Sequence, residues 1–367
     1  MKKRILQCFV SGKADGVTQS IYNNYKYMDK NKVVYDFLFI HNKPRYAREL
    51  ESEGSKFYEV PSIKHVFRYM GRIRDVVKNG NYDAVYFNLS FSHIIPIIAA
   101  KCGGAKRIIV HSHSSYIDRN KLTSRLIVKA YHSIWLLFQE FFIDYHFACS
   151  RIAGDFLFPF CPKSEVKIIH NAIDIEKFTF NMESRSTVRK ELGVDVNTHI
   201  IGHVGRFSYQ KNHEFLLAVF REISRLDKNS ILVLIGEGPE ENKIRDLVSK
   251  YGIVGKVRFL GRQNDVNRYL QAMDCFLFPS RFEGLGIVLV EAQTSGLPCV
   301  VADTVPKESK LGDNIYFLSL NDSPVIWAQK VLRCIKNGRK NNLRSIRSAG
   351  YDNKKEAKKL ESFYFSL

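Results

Sequence analysis

Residues 278–301 read FPSRFEGLGIVLVEAQTSGLPCVV, and their order decides the fold. A short apolar run, Cys275 to Phe278, stops at Pro279-Ser280. A glycine-rich turn with one acid follows, Glu283-Gly284-Leu285-Gly286, and then an apolar helical pattern that carries a second acid, Glu291. A Gly-Pro turn leads into a Val-Val strand. The reading is strand, loop, helix, strand. It sets unpartnered backbone N–H groups at the mouth of a helix, where the dipole favours an anion. At about 1.5 Å per residue the two carboxylates lie on the order of 10–12 Å apart along the axis. That is too far for a shared-proton dyad and beyond the roughly 5–9.5 Å of glycosidase pairs. It suits a long ligand with hydroxyls at both ends and negative charge between them, the shape of a nucleotide sugar. The competing reading is a solvated loop acid plus a helix-surface acid.

This stretch closely resembles the Glu-(seven residues)-Glu motif of the family-4 retaining glycosyltransferases, with Pro279-Ser280, both acids, Gly284, Gly286, Glu291-Ala292, Gly296 and Pro298 in place. The resemblance spans nearly the whole chain, is strongest from Gly202 to Val301, and points in the N-terminal half to the capsule and exopolysaccharide branch. It implies two Rossmann-like doubly wound parallel-sheet domains facing across a cleft, the GT-B fold.

Working outward, the sequence alternates strands and helices throughout, as a doubly wound α/β protein does. Apolar runs at residues 4–10, 33–40, 57–60, 82–88, 107–110, 145–149 and 166–169 read as strands of a first domain. Runs at 199–204, 231–235, 257–260, 275–278, 299–301 and 316–318 read as those of a second. The polar run 181–197 reads as the boundary, so the domains are expected at 1–180 and 181–350, with a helix at 351–367 returning to the first.

In the second domain, Gly205-Arg206 closes a strand and Lys211 opens the next helix. Five residues apart across one loop, both cationic heads can converge on one anion, Arg as a fork and Lys as a point charge. The pattern looks like the family's Gly-Arg...Lys pair, which the resemblance assigns to the departing diphosphate. Gly236 and Gly238, in Gly-Glu-Gly-Pro, do not form a dinucleotide fingerprint. The family carries Gly-x-Gly there at the nucleotide edge, and Gly261-Arg262 where it holds the base. The same resemblance gives Glu291 the ribose hydroxyls, and Glu283, with Gly284, Leu285 and Gly286, the donor sugar and its phosphates.

In the first domain the loop Ser11 to Val17 can bring backbone N–H groups to a phosphate or be a plain tight turn. The family has two adjacent glycines there, and only Gly16 matches. Strand 107–110 ends in His111-Ser112-His113. The two histidines could ligate zinc, cap a turn or contact substrate. No HExxH or Cys/His cluster stands nearby to complete a metal site. The family places a histidine beside the transferred sugar at this point, and His111 aligns best, with His113 as the reserve.

Charge and composition bound the rest. The 367 residues carry a formal charge of +19, with 45% hydrophobic and 13% aromatic content, which excludes a disordered chain. The positive residues are scattered and no nucleic-acid motif accompanies them, so anionic membrane is their expected partner. The segment 119–142 is basic and then strongly apolar. It reads either as a buried helix pair or as a surface helix dipping into lipid headgroups. No apolar run reaches the roughly 20 residues of a spanning helix, and no signal peptide is evident. Seven cysteines without CxxC pairing read as buried hydrophobes in a reducing cytoplasm.

The expectation is therefore a cytoplasmic enzyme, peripheral at the inner face of the membrane. It would move a hexose-type sugar from a nucleotide diphosphate sugar, UDP by family frequency, to a lipid-linked glycan acceptor, with retention of configuration implied by the resemblance. No Asp-x-Asp occurs, so no metal and no cofactor are expected, and the leaving group falls to Arg206, Lys211 and the helix mouth. A nucleotide-sugar epimerase of the same architecture and a non-catalytic nucleotide-sugar-binding scaffold are the rival readings.

Overall fold

The computed structural model describes residues 2–10, 16–114 and 122–367, with side chains of the helix Leu122–Gln139 described from Leu126 onward. The chain forms two compact units, residues 1–173 with 352–367 and residues 174–351. Each is built on one parallel sheet. In the first, β1 (Lys3–Val10), β2 (Val33–Phe39), β3 (Phe57–Glu59), β4 (Ala84–Leu89), β5 (Ile108–Ser112), β6 (Tyr145–Ala148) and β7 (Val166–Ile168) are ordered β3-β2-β1-β4-β5-β6-β7. In the second, β8 (His199–Val204), β9 (Ser230–Ile235), β10 (Val257–Phe259), β11 (Cys275–Phe278), β12 (Cys299–Ala302) and β13 (Ile315–Leu318) are ordered β10-β9-β8-β11-β12-β13. The strand order reverses between β1 and β4 in one sheet and between β8 and β11 in the other. Ligands of open α/β sheets bind at such switch points, outside the carboxyl ends of the strands.

Strands buried on both faces read as continuous apolar runs, and β2, VVYDFLF, is buried at every position. Its one charge, Asp36, is wholly enclosed and fully used. It accepts two hydrogen bonds of 2.9 Å from Arg4 on β1, one of 2.8 Å from the Tyr82 hydroxyl, and one of 2.8 Å from the Lys56 amide. A single carboxylate thus fixes β1, β2 and the approaches to β3 and β4. In the second unit Gly202 of β8 leaves room for a side chain: a Cβ there would lie 2.0 Å from Met273 Sδ.

The chain leaves the first unit at Ile173 and re-enters at Asp352, where the two residues form a parallel bridge and the Asn353 amide donates to the Ile173 carbonyl. The returning helix Asn353–Phe365 places Ala357, Leu360 and Tyr364 in the core with Ile21, Tyr25 and Tyr35, and the Tyr364 and Tyr35 hydroxyls stand 2.8 Å apart. The crossing lies seven residues before the expected 180/181. Ile175 and Phe178 are buried in a short helix of the second unit. The polar run 181–197 is not a linker. It holds the helix Met182–Glu191, whose Arg189 is buried against Asp274 at 3.2 Å. Its polar composition reflects a helix tied down by ion pairs.

Residues 122–142 also depart from a buried helix pair. They form one helix, Leu122–Gln139, and a 3-10 turn, Glu140–Phe142. Two polar residues anchor it inward: His132 accepts from the Ser92 amide at 3.0 Å, and Gln139 is fully buried, accepting from the Ser92 hydroxyl at 2.7 Å. Leu136 and Phe142 pack against the core beside them, while Leu126, Ile127, Ile134, Leu137, Phe138 and Phe141 are all exposed. Among the described residues no helix is long and apolar enough to cross a membrane.

Removal of the Asp36 carboxylate leaves the Lys56 amide, the Tyr82 hydroxyl and the Arg4 guanidinium without their acceptor. Asp36→Ala is expected to lower the unfolding free energy by about 3 kcal/mol, read as a lower midpoint at unchanged slope in urea titration.

Candidate functional site

In the second unit the loops after β8 and β11 converge at the switch point. After Val204 the chain passes Gly205, Arg206 and Phe207, makes a 3-10 turn at Tyr209–Lys211, and enters the helix His213–Leu226 through Asn212 at φ +54°. Lys211 Nζ meets Glu283 Oε1 at 2.6 Å, with the two side chains only 14% and 6% exposed. The ammonium also lies 4.6 Å from the centre of the Phe278 ring. Gln210 donates to the other carboxylate oxygen at 3.2 Å and to the Phe282 carbonyl at 3.0 Å. Arg281 closes the seam: its amide donates to the Gln210 carbonyl, and its guanidinium donates to the Tyr209 carbonyl and lies 4.1 Å from that ring.

The sequence placed Lys211 with Arg206 on one anion. The structure pairs Lys211 with Glu283 and leaves Arg206, on the same loop, exposed, its side chain with no hydrogen bond or ion pair among the described residues. Gln210 was not singled out by sequence, because its role depends on the loop after β11, about seventy residues away.

Beneath Lys211 lie two further residues that sequence reading passed over. The His213 ring stacks on Phe207 at 4.3 Å and meets His203 edge-on at 4.8 Å, and His203 packs on Phe276 and Phe278. Burial, reinforced by the neighbouring charges, drives both imidazoles down, His213 to about 3. They are neutral at physiological pH, so Lys211 carries the positive charge of this wall.

The glycines of the loop after β9 have a steric reason. A Cβ on Gly236, at φ +136°, would sit 2.1 Å from the Gly205 carbonyl oxygen, and one on Gly238 would sit 2.3 Å from that of Phe207. The Phe207 amide donates to the Glu237 carbonyl, and the Gly236 amide to that of Gly261. Three loops are thus stitched backbone to backbone, with Arg262 exposed at their edge.

Beyond Glu283 and Gly284, Leu285 is buried and Gly286, at φ +77°, turns the chain into the helix Ile287–Thr294. The carboxyl of Glu291, on that helix, has no hydrogen bond or ion pair among the described residues. Protein crowds it on most sides although part of its surface stays open, and this burial pushes the carboxyl up to about 8, against a smaller opposing pull from Lys177. A carboxyl of this kind, largely protonated near neutral pH, can both donate to and accept from hydroxyl groups.

In the first unit β4 and β5 align Asn88 with His111. His111 Nδ1 lies 2.9 Å from the Tyr86 hydroxyl, and its Nε2 is buried without a partner. His113 Nε2 lies 3.0 Å from Asn88 Oδ1, and the Asn88 amide in turn donates to Gln7 Oε1 at 3.0 Å. The two rings are 3.9 Å apart. Burial lowers both, His113 to about 3, so the pair is neutral. His111 borders a cavity of about 20 Å³, room for one water, which Gln7, Asn24 and Tyr364 also line. Among the described residues no third metal-ligand side chain joins the two histidines. Gly16 begins the helix Gly16–Lys26, and the preceding loop residues 11–15, where a phosphate contact was considered, lie outside the described residues.

The Glu291 environment has a measurable sign. Its folded-state value lies above the usual 4.5, so the folded protein binds this proton more tightly. Its contribution to stability is whole below pH 4.5 and declines as pH rises to about 8. Glu291→Gln is expected to flatten that decline and to stabilise the protein at pH 8 by about 1–3 kcal/mol, allowing for water at the carboxyl. Urea melts of both proteins across this range check it.

Comparison with known proteins agrees with this geometry. Residues 184–351 match the family of glycosyl transferases group 1, and residues 14–177 match Glycosyltransferase Family 4. EpsF of Bacillus subtilis (strain 168), named as a glycosyltransferase, is 31% identical over 346 residues, covering 92% of this chain and 89% of its own. An Escherichia coli UDP-Gal:alpha-D-GlcNAc-diphosphoundecaprenol alpha-1,3-galactosyltransferase is 27% identical over 62% of this chain and 59% of its own. The crystal structure of Anabaena HepE with UDP and glucose superposes with a TM-score of 0.81 at 20% identity, over 100% of both chains. The two sheets, the two matching families and the relative that runs almost the full length give one conclusion: this chain is a glycosyltransferase of the GT-B fold, belonging to group 1 and family 4.

Proposed function

We propose that the protein transfers a hexose-type sugar, with retention of configuration and without a metal, from a UDP-sugar to a lipid-linked glycan of the capsule, exopolysaccharide or O-antigen kind. The observation that carries this reading is the buried Lys211–Glu283 pair at the switch point, beside the mouth of the helix Ile287–Thr294. In the ligand-free chain the cation is matched by a carboxylate. An arriving diphosphate competes for Lys211, while Arg206 supplies a second, exposed charge from the same loop. As the sugar–phosphate bond breaks, negative charge grows on the diphosphate. Lys211, Arg206 and the first-turn amides of the helix then stabilise it from fixed positions. Glu283, freed from Lys211 but still oriented by Gln210, turns to the sugar hydroxyls, and Glu291 takes the ribose. Neutral His111, with His113 as the alternative, is assigned to the donor sugar on the family resemblance. Retention rests on the family resemblance, and metal independence on the missing Asp-x-Asp and the basic residues in its stead. A UDP donor and a lipid-linked acceptor are supported by the name of the Escherichia coli relative and the ligands of HepE.

Nucleotide release from UDP-, GDP- and ADP-sugars, with and without a lipid-linked acceptor extract, tests the proposal. One donor is expected to give acceptor-dependent release. Arg206→Ala, an exposed change that leaves the core untouched, and Lys211→Ala are each expected to lower the rate about 10²–10³-fold. Donor conversion without acceptor would indicate an epimerase, and binding without turnover a scaffold.

The outward apolar residues of Leu122–Gln139 and its turn, in a chain of charge +19, are proposed to seat on the anionic membrane surface that presents the acceptor. Ile127→Ser with Phe141→Ser is expected to reduce sedimentation with phosphatidylglycerol vesicles several-fold while leaving binding of UDP-sugar unchanged. Equal sedimentation of both proteins would reject this contact.

A further inference from the structure

Three potential metal ligands meet in the first unit, away from His111 and His113. Glu140 comes from the turn that ends the outward-apolar helix, His146 from β6, and Cys161 from the turn beyond the helix Arg151–Leu157. Glu140 Oε2 stands 2.7 Å from His146 Nε2, and the ligand atoms of all three residues lie within 4.8 Å of one another. The Glu140–His146 approach is close but misaligned. His146 Nε2 and the second oxygen, Glu140 Oε1, are both buried with no hydrogen-bond partner. Cys161 is 9% exposed and its sulfur has only a long contact of 3.7 Å to the Pro162 carbonyl. Glu165 adds negative charge near the thiol, and the Phe158 ring packs edge-on against His146 at 4.9 Å, walling off one side.

We propose that Glu140, His146 and Cys161 form a binding site for one zinc-class divalent cation. A tetrahedral zinc ion, with Zn–N and Zn–O of about 2.0–2.2 Å and Zn–S of about 2.3 Å, holds its ligand atoms roughly 3.3–3.6 Å apart. The carboxylate and imidazole must part by a few tenths of an ångström, and the thiol must close in. One thiolate, one imidazole and one carboxylate select zinc-like ions over magnesium or calcium, which take oxygen ligands. On binding, the Cys161 S–H proton leaves to solvent as the sulfur–metal bond forms, and water fills the fourth position. The cation neutralises a carboxylate and satisfies the orphaned His146 Nε2. It also joins the end of the outward-apolar helix to β6 and to the 158–162 turn. Its role is to hold that helix in place, separate from the stabilisation of the diphosphate. Sequence gave no hint of it, since separations of six and fifteen residues match no metal motif.

Titration of the chelator-treated full-length protein with Co(II), followed by thiolate-to-cobalt absorption in the near ultraviolet, tests the site. One equivalent should produce the band and Zn(II) should displace it. Cys161→Ser should abolish it, and His146→Gln and Glu140→Gln should each weaken binding by roughly 100-fold or more, since even outer-shell partners are worth about 10–100-fold. Cys102→Ser, which removes the exposed cysteine, should leave the band unchanged. Absence of the band in the wild type, its persistence in Cys161→Ser, or its loss in Cys102→Ser would overturn the proposal. If Cys161→Ser does not fold, the His146 and Glu140 variants decide on the same criterion.

Discussion

A buried charge must be matched, and the Lys211–Glu283 pair shows how that requirement organises the second unit. The two residues are 72 positions apart, on loops that leave adjacent strands of the sheet. Their encounter depends on β8 lying beside β11, on the αL turn at Asn212, and on the apolar floor of Phe276 and Phe278 with neutral His203 and His213. Desolvation makes such a pair weak evidence for stability, because apolar residues of the same volume often serve as well. Its retention at a switch point fits a role in exchange: each member is held ready for another partner by the presence of the first.

Much of this was legible in the sequence, for physical reasons. Parallel strands buried on both faces are short continuous apolar runs, and the thirteen such runs became the thirteen strands found among the described residues. The 278–301 stretch could be read locally because its strand, turn and helix are consecutive. The limits were equally physical. That Lys211 also meets Glu283 depends on strand order, which no local pattern carries. The glycines at 236 and 238 looked like ligand-binding signals, yet backbone crowding against Gly205 and Phe207 already requires them. The polar run after residue 180 resembled a linker because its helix is anchored by arginines rather than by a wide apolar stripe.

The helix Leu122–Gln139 is a case where composition reports hydrophobicity but not which residues are covered. Its hydrophobicity suggested the interior, but the first unit engages it through His132 and Gln139, which hydrogen-bond to the Ser92 amide and hydroxyl. These two polar groups anchor the helix beside Leu136 and Phe142, and six apolar residues are left exposed. An amphipathic surface helix normally covers its apolar residues, so the exposed ones are best understood as serving something other than this chain's own core.

The bridge between Ile173 and Asp352 makes the second unit an insertion within the first. During synthesis the second unit emerges with all its strands contiguous and can close as soon as it leaves the ribosome. The first unit, though begun earlier, must wait. Tyr35, Tyr25 and Ile21 stay without Leu360 and Tyr364 until the helix Asn353–Phe365 has been made. The N-terminal sheet is therefore begun before the unit inserted in it and covered only after that unit's last strand.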